Sequence, residues 1–360
     1  MPLRVSAVAQ TARHLLASRN RLARAALVRD VEPWLRVQFL GAAARCGVVG
    51  ALREPGTGPE IARRAGLADV DLARALLELG VAVGELSQRG GRYRLRGRRV
   101  RAIASGDADD LAGLVEELVA YAAPIYAHLD EHLAGAPAGP YASEAGAVIA
   151  RASQLVEHVV GPFLAAVATE RQPASVLDIG CGTGVNLRWL GQGAPKARLV
   201  GLEVDPGALL LATDNVERWG LADRTELHLV DLDQWPDTSA EPFDLVLLAQ
   251  NVYYWPPEDR AAVLERVRKI VAGGTVVVVS TTPGTLAFGR HLDLVLRVTS
   301  GNWRLPTGAE LRDDAVAAGF ESVRVSLLAP RTGIVALVAE APDGANGDAA
   351  GTPALGNGAG

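Results

Sequence analysis

The sequence predicts an α/β protein: a doubly wound, mainly parallel sheet of seven strands, preceded by a mainly helical domain of winged-helix pattern. Three observations predict it. Residues 174–340 alternate short β-branched apolar runs with amphipathic stretches. The first of those runs enters a glycine-rich loop that opens a helix. Residues 31–100 read as three short helices followed by a hairpin. A chain of 360 residues is also longer than one ordinary domain needs.

Composition narrows the classes. The chain is 49% hydrophobic and 21% charged, enough to bury a core. Two cysteines, Cys46 and Cys181, exclude a disulfide scaffold and a cysteine-built zinc site. No apolar run reaches the roughly 20 residues of a membrane helix, so a cytoplasmic protein is expected. The first 100 residues hold 18 arginines against 8 acids, while the remainder holds 18 basic residues against 33 acids. A basic module on an acidic body suits nucleic-acid contact or two complementary domains. Residues 1–29 contain no acid and are rich in Arg, Ala and Ser. That composition matches a mitochondrial presequence, but a basic amphipathic helix is preferred.

The elements follow in order. After a basic segment over 1–30, PWLRVQFLGAAARCGVVGALR has apolar residues at helical spacing. GTGPEIARRAGL begins with turn residues and gives a short helix. DVDLARALLELGVAV begins with an Asp cap and carries Leu72, Leu76, Leu77 and Leu79. In ELSQRGGRYRLRGRRV, Gly90 and Gly91 separate two extended runs in which Tyr93 and Leu95 alternate with arginines, a hairpin signal. This winged-helix domain is assigned 31–105. A helical linker and cap takes 106–170, with a Gly/Pro break at 135–140, and the sheet domain takes 171–340. Five strands are expected in ASVLDIG, ARLVGLEV, TELHLVDL, FDLVLLAQ and GTVVVVST, with helices between them. ESVRVSLL and GIVALVAE close the sheet. Residues 341–360 have almost no bulky apolar side chain and are expected to be a disordered tail.

The sharpest local feature is VLDIGCGTG over 176–184. Glycines let a backbone turn tightly and let a ligand approach without a Cβ in the way. Their spacing is not that of the dinucleotide fingerprint: counted from Gly180 or Gly182, the third glycine would fall on Val185 or Leu187. No GxxxxGK[ST] phosphate loop is present.

Asp178-x-Gly180-x-Gly182-x-Gly184 resembles motif I of the class I S-adenosylmethionine-dependent methyltransferases. The resemblance implies a Rossmann-like methyltransferase sheet. It makes Glu203, which ends the second strand, the acceptor for the ribose hydroxyls. Asp231 at the end of the third strand faces the adenine amino group, and Leu232 reads the ring through its backbone. Gln250 ends the fourth strand beside the cofactor. The preceding winged helix, with LGAAARCGVVGAL, GPEIARRAGL, LARALLELGV and GGRYRL, is similar to the small-molecule O-methyltransferase family. That similarity implies a homodimer through the N-terminal domain and a small-molecule acceptor, plausible in secondary metabolism.

One departure bears on mechanism. The family usually places a catalytic His pair after the fourth strand, whereas residues 250–258 read QNVYYWPPE, with no histidine. Asn251 and Tyr254 instead resemble the ends of the Asn-Pro-Pro-Tyr loop of amine methyltransferases, without its prolines. Tyr254 and Asn251 are therefore the catalytic candidates, with His291 the remaining base. Tyr126, Tyr141 and Trp303 are candidate substrate walls. His128 and His132 have a spacing that could ligate a metal, but no third ligand accompanies them and no metal is expected. O-methylation of a small molecule is the leading reading. An amine or peptide N-methyltransferase, an RNA methyltransferase using Arg92, Arg94, Arg96, Arg98 and Arg99, and a cofactor-binding regulator without turnover stand behind it.

Overall fold

The computed structural model describes Gln10, His14 and residues 19–106, 109–236, 242–271, 273–329 and 332–342, without the side chains of 109, 141–147 and 150. Most of the basic segment 1–30 and of the expected tail 341–360 lies outside the described residues. The chain divides into two compact units. The first comprises residues 1–128 with 145–155, the second 129–144 with 156–360.

In the first unit, α1 (Arg21–Arg45) runs through residue 30 and Pro33, so the expected boundary at residue 30 falls inside one helix. Then come α2 (Val48–Ala51), α3 (Gly58–Arg64) and α4 (Val70–Ala82). Asp69 caps α4 by accepting the Leu72 N–H at 2.9 Å. The hairpin is β1 (Leu86–Arg89) and β2 (Arg92–Leu95), turned at Gly90 and Gly91 with φ 58° and 74°. Two successive left-handed residues give the turn whose twist matches a hairpin, and only glycine adopts them freely. Tyr93 is buried and exchanges backbone hydrogen bonds with Gly56. Phe39, Leu40, Val48, Leu52, Ile61, Leu77, Leu86 and Val100 form the core of this unit. Of the wing arginines, Arg92 pairs with Glu60 and Arg99 with the buried Glu85.

The chain continues through α5 (Arg98–Ser105), α6 (Asp109–Glu116), a π-helical turn (Glu117–Ala122) and α7 (Ala123–Ala127). A new helix, α8, then spans Leu129–Leu133. His128 and His132 thus do not share one continuous helix, and the described residues contain no group of three metal-ligating side chains. The long helix α9 (Tyr141–Arg171) gives residues 145–155 to the first unit and the rest to the second.

The second unit holds the seven-stranded sheet. Its strands are β3 (Ser175–Ile179), β4 (Arg198–Glu203), β5 (Thr225–Leu229), β6 (Leu245–Ala249), β7 (Thr275–Thr281), β8 (Glu321–Leu327) and β9 (Ile334–Glu340), in spatial order 5-4-3-6-7-9-8. The first five are parallel, while β9 runs antiparallel to β7 and β8 antiparallel to β9. Strands buried on both faces read as continuous apolar runs. In β7, Val276 and Val278 pack with Leu264, Val267 and Ile270 of α12 (Arg260–Ile270) and Leu311 of α14 (Gly308–Ala317). Val277 and Val279 pack on the other face with Leu164 and Ala168 of α9 and Leu187 and Leu190 of α10 (Val185–Gly193). A helix α11 (Pro206–Arg218) joins β4 to β5, and α13 (Ala287–Arg297) follows β7. Between β5 and β6 the sequence predicted a helix, but the described residues there hold only the one-turn segment Leu232–Gln234.

Glu117 is largely enclosed, and burial lifts its carboxyl to about 7. A carboxyl raised on folding contributes stability that is full below the unfolded value of about 4.3 and lost as the pH climbs to about 7. Glu117→Gln removes that titration. Urea denaturation should find the variant more stable than wild type at pH 8, by at most about 4 kcal/mol. The gap should close towards pH 4.5. Equal gaps at both pH values would show that Glu117 does not titrate on unfolding.

Candidate functional site

The strand order reverses between β3 and β6, because the chain runs outward through β4 and β5 and returns to the other side of β3. In open α/β sheets a crevice opens at such a point, outside the carboxyl ends of the strands. The glycine loop after β3 and residues 250–255 after β6 meet there.

The loop needs its glycines. Gly180, Gly182 and Gly184 have φ of 69°, 54° and 78°, in the region other residues avoid. A Cβ at Gly180 would lie 2.9 Å from Nδ2 of Asn251, whereas one at Gly182 would meet nothing within 4 Å. The space over Gly182 is open. Four bonds fix the loop. Glu203 Oε2 accepts the Gly182 N–H at 2.7 Å, and the Leu202 carbonyl accepts the Cys181 N–H at 2.9 Å. Asn251 Nδ2 donates to the Ile179 carbonyl at 2.6 Å, and Asn215 Nδ2 on α11 donates to the Thr183 carbonyl at 2.9 Å.

Glu203 ends β4, is 9% exposed, and also accepts the N–H groups of Val204 and Asp205 at 2.8 and 2.9 Å. Asp178 is completely buried, and neither carboxylate oxygen has a hydrogen-bond partner among the described residues. Burial, with the Glu203 charge adding to it, pushes its carboxyl well above the usual range. The Asn186 amide approaches and offsets part of the rise, outside hydrogen-bonding geometry. Burial likewise pushes the Cys181 thiol up, so it is no nucleophile. At the next strand end Asp231 is exposed, its Oδ1 accepting the Asp233 N–H at 2.9 Å, while Leu232 is buried in the sheet core.

Two expected site residues have other tasks in this arrangement. Gln250 takes φ 57°, and its Oε1 accepts from the Thr281 N–H and hydroxyl at 3.0 and 3.1 Å, tying the ends of β6 and β7. Asn251, expected beside the acceptor, is 5% exposed with its amide committed to Ile179. It holds the loop instead of presenting itself to a substrate, because a side chain in the one-residue turn after β6 points under the glycines. Tyr254 is 51% exposed, with its ring edge-on to Tyr253 at 5.1 Å. The Trp303 N–H donates to the Tyr253 carbonyl at 2.8 Å, bringing Trp303 to the same rim. Arg260, buried, ties Val252 and Arg304 together through their carbonyls. His291 lies half-buried on α13, and burial lowers its pKa from 6.5. Tyr126 is 47% exposed on α7 of the first unit, and the Tyr141 side chain lies outside the described residues. Asn215, Thr281 and Arg260 were missed in the sequence: each is a polar residue in a helix or strand with no local pattern to mark it. A separate cavity of about 300 Å³, lined by Phe163, Val167, Arg171 and Arg324, lies away from the loop and contains none of these residues.

The donor set suits a nucleoside with an amino-acid head: open backbone over Gly182, a carboxylate at the end of β4 and an orphaned buried carboxylate on β3. Comparison with known proteins agrees. Residues 176–274 match a family described as a methyltransferase domain. A catechol O-methyltransferase of Mycobacterium tuberculosis is 34% identical over 152 residues, which cover 42% of this chain and 64% of that protein, just under two thirds of its length. A 3-hydroxy-5-methyl-1-naphthoate 3-O-methyltransferase of Streptomyces sahachiroi is 28% identical over 336 residues, 89% of this chain and 92% of that one. Human N-acetylserotonin methyltransferase, solved with S-adenosylmethionine, superposes with a TM-score of 0.73 at 16% identity, over 91% of this chain and 99% of that one. That last likeness shows the fold, and the domain match places the glycine loop within it. Through residues 176–274, the segment that builds the crevice, the chain carries a methyltransferase domain.

Proposed function

We propose that the protein methylates a hydroxyl group on a small aromatic molecule, with S-adenosylmethionine as donor. The similarity to the naphthoate O-methyltransferase along nearly the whole of both chains carries this reading. Bound at the glycine loop, the cofactor would supply a methyl group on a sulfonium, an electrophile open to in-line attack. Glu203 would accept from a ribose hydroxyl with the one lone-pair site its three backbone donors leave free. Asp231 would accept from the adenine amino group. Tyr254 and Trp303 offer ring faces at the rim for an aromatic acceptor, and holding the acceptor in line supplies much of the rate.

Deprotonation of the hydroxyl falls to His291. Its lowered pKa keeps the imidazole neutral at pH 7, the form that takes a proton. The rate against pH should therefore hold down to below 6.5 and fall only at more acid pH. His291→Ala should lower kcat on hydroxynaphthoate or catechol acceptors by 10²–10⁴ and remove that acid limb. A variant with unchanged kcat would place the proton acceptor elsewhere and favour transfer by positioning alone.

Glu203→Ala should weaken S-adenosylmethionine binding by ten- to a hundredfold in calorimetry, since bonds to a charged acceptor contribute about 1.5–3 kcal/mol. No wild-type binding, or unchanged affinity in the variant, would count against the assignment.

We also propose a homodimer through the first unit. Leu27, Val31 and Trp34 recur at helical spacing on α1 and are 69%, 48% and 59% exposed. An apolar stripe of this kind needs a partner. Light scattering should give about twice the 37.7 kDa chain mass, and Leu27→Asp with Trp34→Asp should give the monomer. A monomeric wild type at micromolar concentration would refute it.

A further inference from the structure

The crevice places two carboxylates side by side, and among the described residues no cation acts on the deeper of them. Asp178 lies beneath the glycine loop, fully buried and without a hydrogen bond. Facing it are Glu203 at the end of β4, the Cys181 thiol of the loop and the Asn186 amide of α10. Its register neighbours are Gly201 on β4 and Leu247 on β6, neither of which carries charge. Among the described residues, no arginine, lysine or histidine acts on it. The near basic side chain on α10, Arg188, is paired with Glu157 and stacked over Trp219. Of the loop N–H groups, that of Gly182 goes to Glu203, that of Cys181 to the Leu202 carbonyl and that of Gly184 to the Cys181 carbonyl. A buried carboxylate with no hydrogen bond and no countercharge is unstable by several kcal/mol and takes up a proton instead.

We propose that Asp178 is protonated while the crevice is empty and releases its proton to solvent when a cationic ligand binds, so that it selects the charged cofactor over the uncharged sulfide product. The O–H bond of the acid breaks, the proton passes to buffer, and the carboxylate left behind faces the ligand's positive charge. S-adenosylhomocysteine lacks the sulfonium and replaces less of the missing countercharge. The inference rests on reading the glycine loop as the S-adenosylmethionine site.

The sign follows from the raised carboxyl. Where the empty site holds the proton and the filled site does not, affinity rises with pH, by up to tenfold per pH unit for one proton released. Calorimetry on the full chain at pH 6.5, below the titration of the ligand's own α-amino group, tests this directly. S-adenosylmethionine is titrated in phosphate and in an amine buffer, whose ionisation heats differ. The expected result is a heat difference corresponding to release of most of one proton. S-adenosylhomocysteine should give a smaller difference. In Asp178→Asn the difference should vanish, the preference for S-adenosylmethionine over S-adenosylhomocysteine should drop at least tenfold, and the ligand-free variant should melt higher than wild type at pH 8. Wild-type binding with equal heats in both buffers overturns the proton release and leaves the cofactor site standing. An unchanged heat difference in Asp178→Asn assigns the proton to another group and overturns it as well. No binding of either compound to the wild type refutes the cofactor reading itself.

Discussion

The bond from the Gly182 N–H to Glu203 is the contact on which the rest of the crevice depends. It joins the end of β4 to the middle of the loop that leaves β3, so two neighbouring strands and the turn between β3 and α10 become one rigid piece. The same carboxylate collects the first two N–H groups beyond its own residue, which turns the chain towards α11. Asn215 then reaches back from α11 to the Thr183 carbonyl. The loop is gripped from the β4 side at its centre, from the β6 side by Asn251 and from α11 near its end. Each grip falls on the backbone, which leaves the loop free to carry no side chain where the ligand must approach.

The sheet supplies the frame for this. β3 and β6 pair in parallel from Val176–Leu245 to Ile179–Leu248, so both chains leave the sheet at the same edge and their following turns must share space. The chain solves the crowding with a glycine at 180 and a left-handed residue at 250. The acid at the start of β6 has the opposite task. Asp244 accepts the N–H groups of Ala174 and Ser175 at 2.8 Å each, pinning the amino ends of the same two strands. One pair of strands is thus fixed at both ends by side chains bonded to backbone, and register between them sets the relative height of the glycine loop and the tyrosines after β6.

The fold was legible because strands buried on both faces read as apolar runs, as Leu245–Ala249 of β6 and Val276–Val279 of β7 do. The hairpin was legible because Gly90 and Gly91 satisfy a geometric requirement few other residues meet. The segment between β5 and β6 was read as a helix from alternation alone, and alternation constrains strands more than what lies between them. The boundary at residue 30 followed the charge change at Asp30, yet charge is a surface property and α1 crosses it without interruption. Within the crevice, residue type told which groups are present and not which way they point. Asn251 and Gln250 are adjacent, yet both turn inward, one to Ile179 and one to Thr281. A single left-handed residue rotates the chain there, and φ at a glutamine leaves no mark in a sequence.

The inward turn of Asn251 bears on the chemistry. An amine acceptor has no need of a base but does need an acceptor group aimed at its N–H. Asn251 as placed offers none to the crevice: its amide is donated to Ile179 and its carbonyl oxygen is buried beside it. What remains exposed after β6 is aromatic, Tyr254 with Tyr253 behind it and Trp303 hydrogen-bonded to the same segment. Aromatic walls recognise a flat ring by its faces, and a hydroxyl on such a ring is acidic enough for an imidazole of lowered pKa to assist. The inward turn of Asn251 and the aromatic rim left after β6 therefore both favour the proposed oxygen acceptor over an amine.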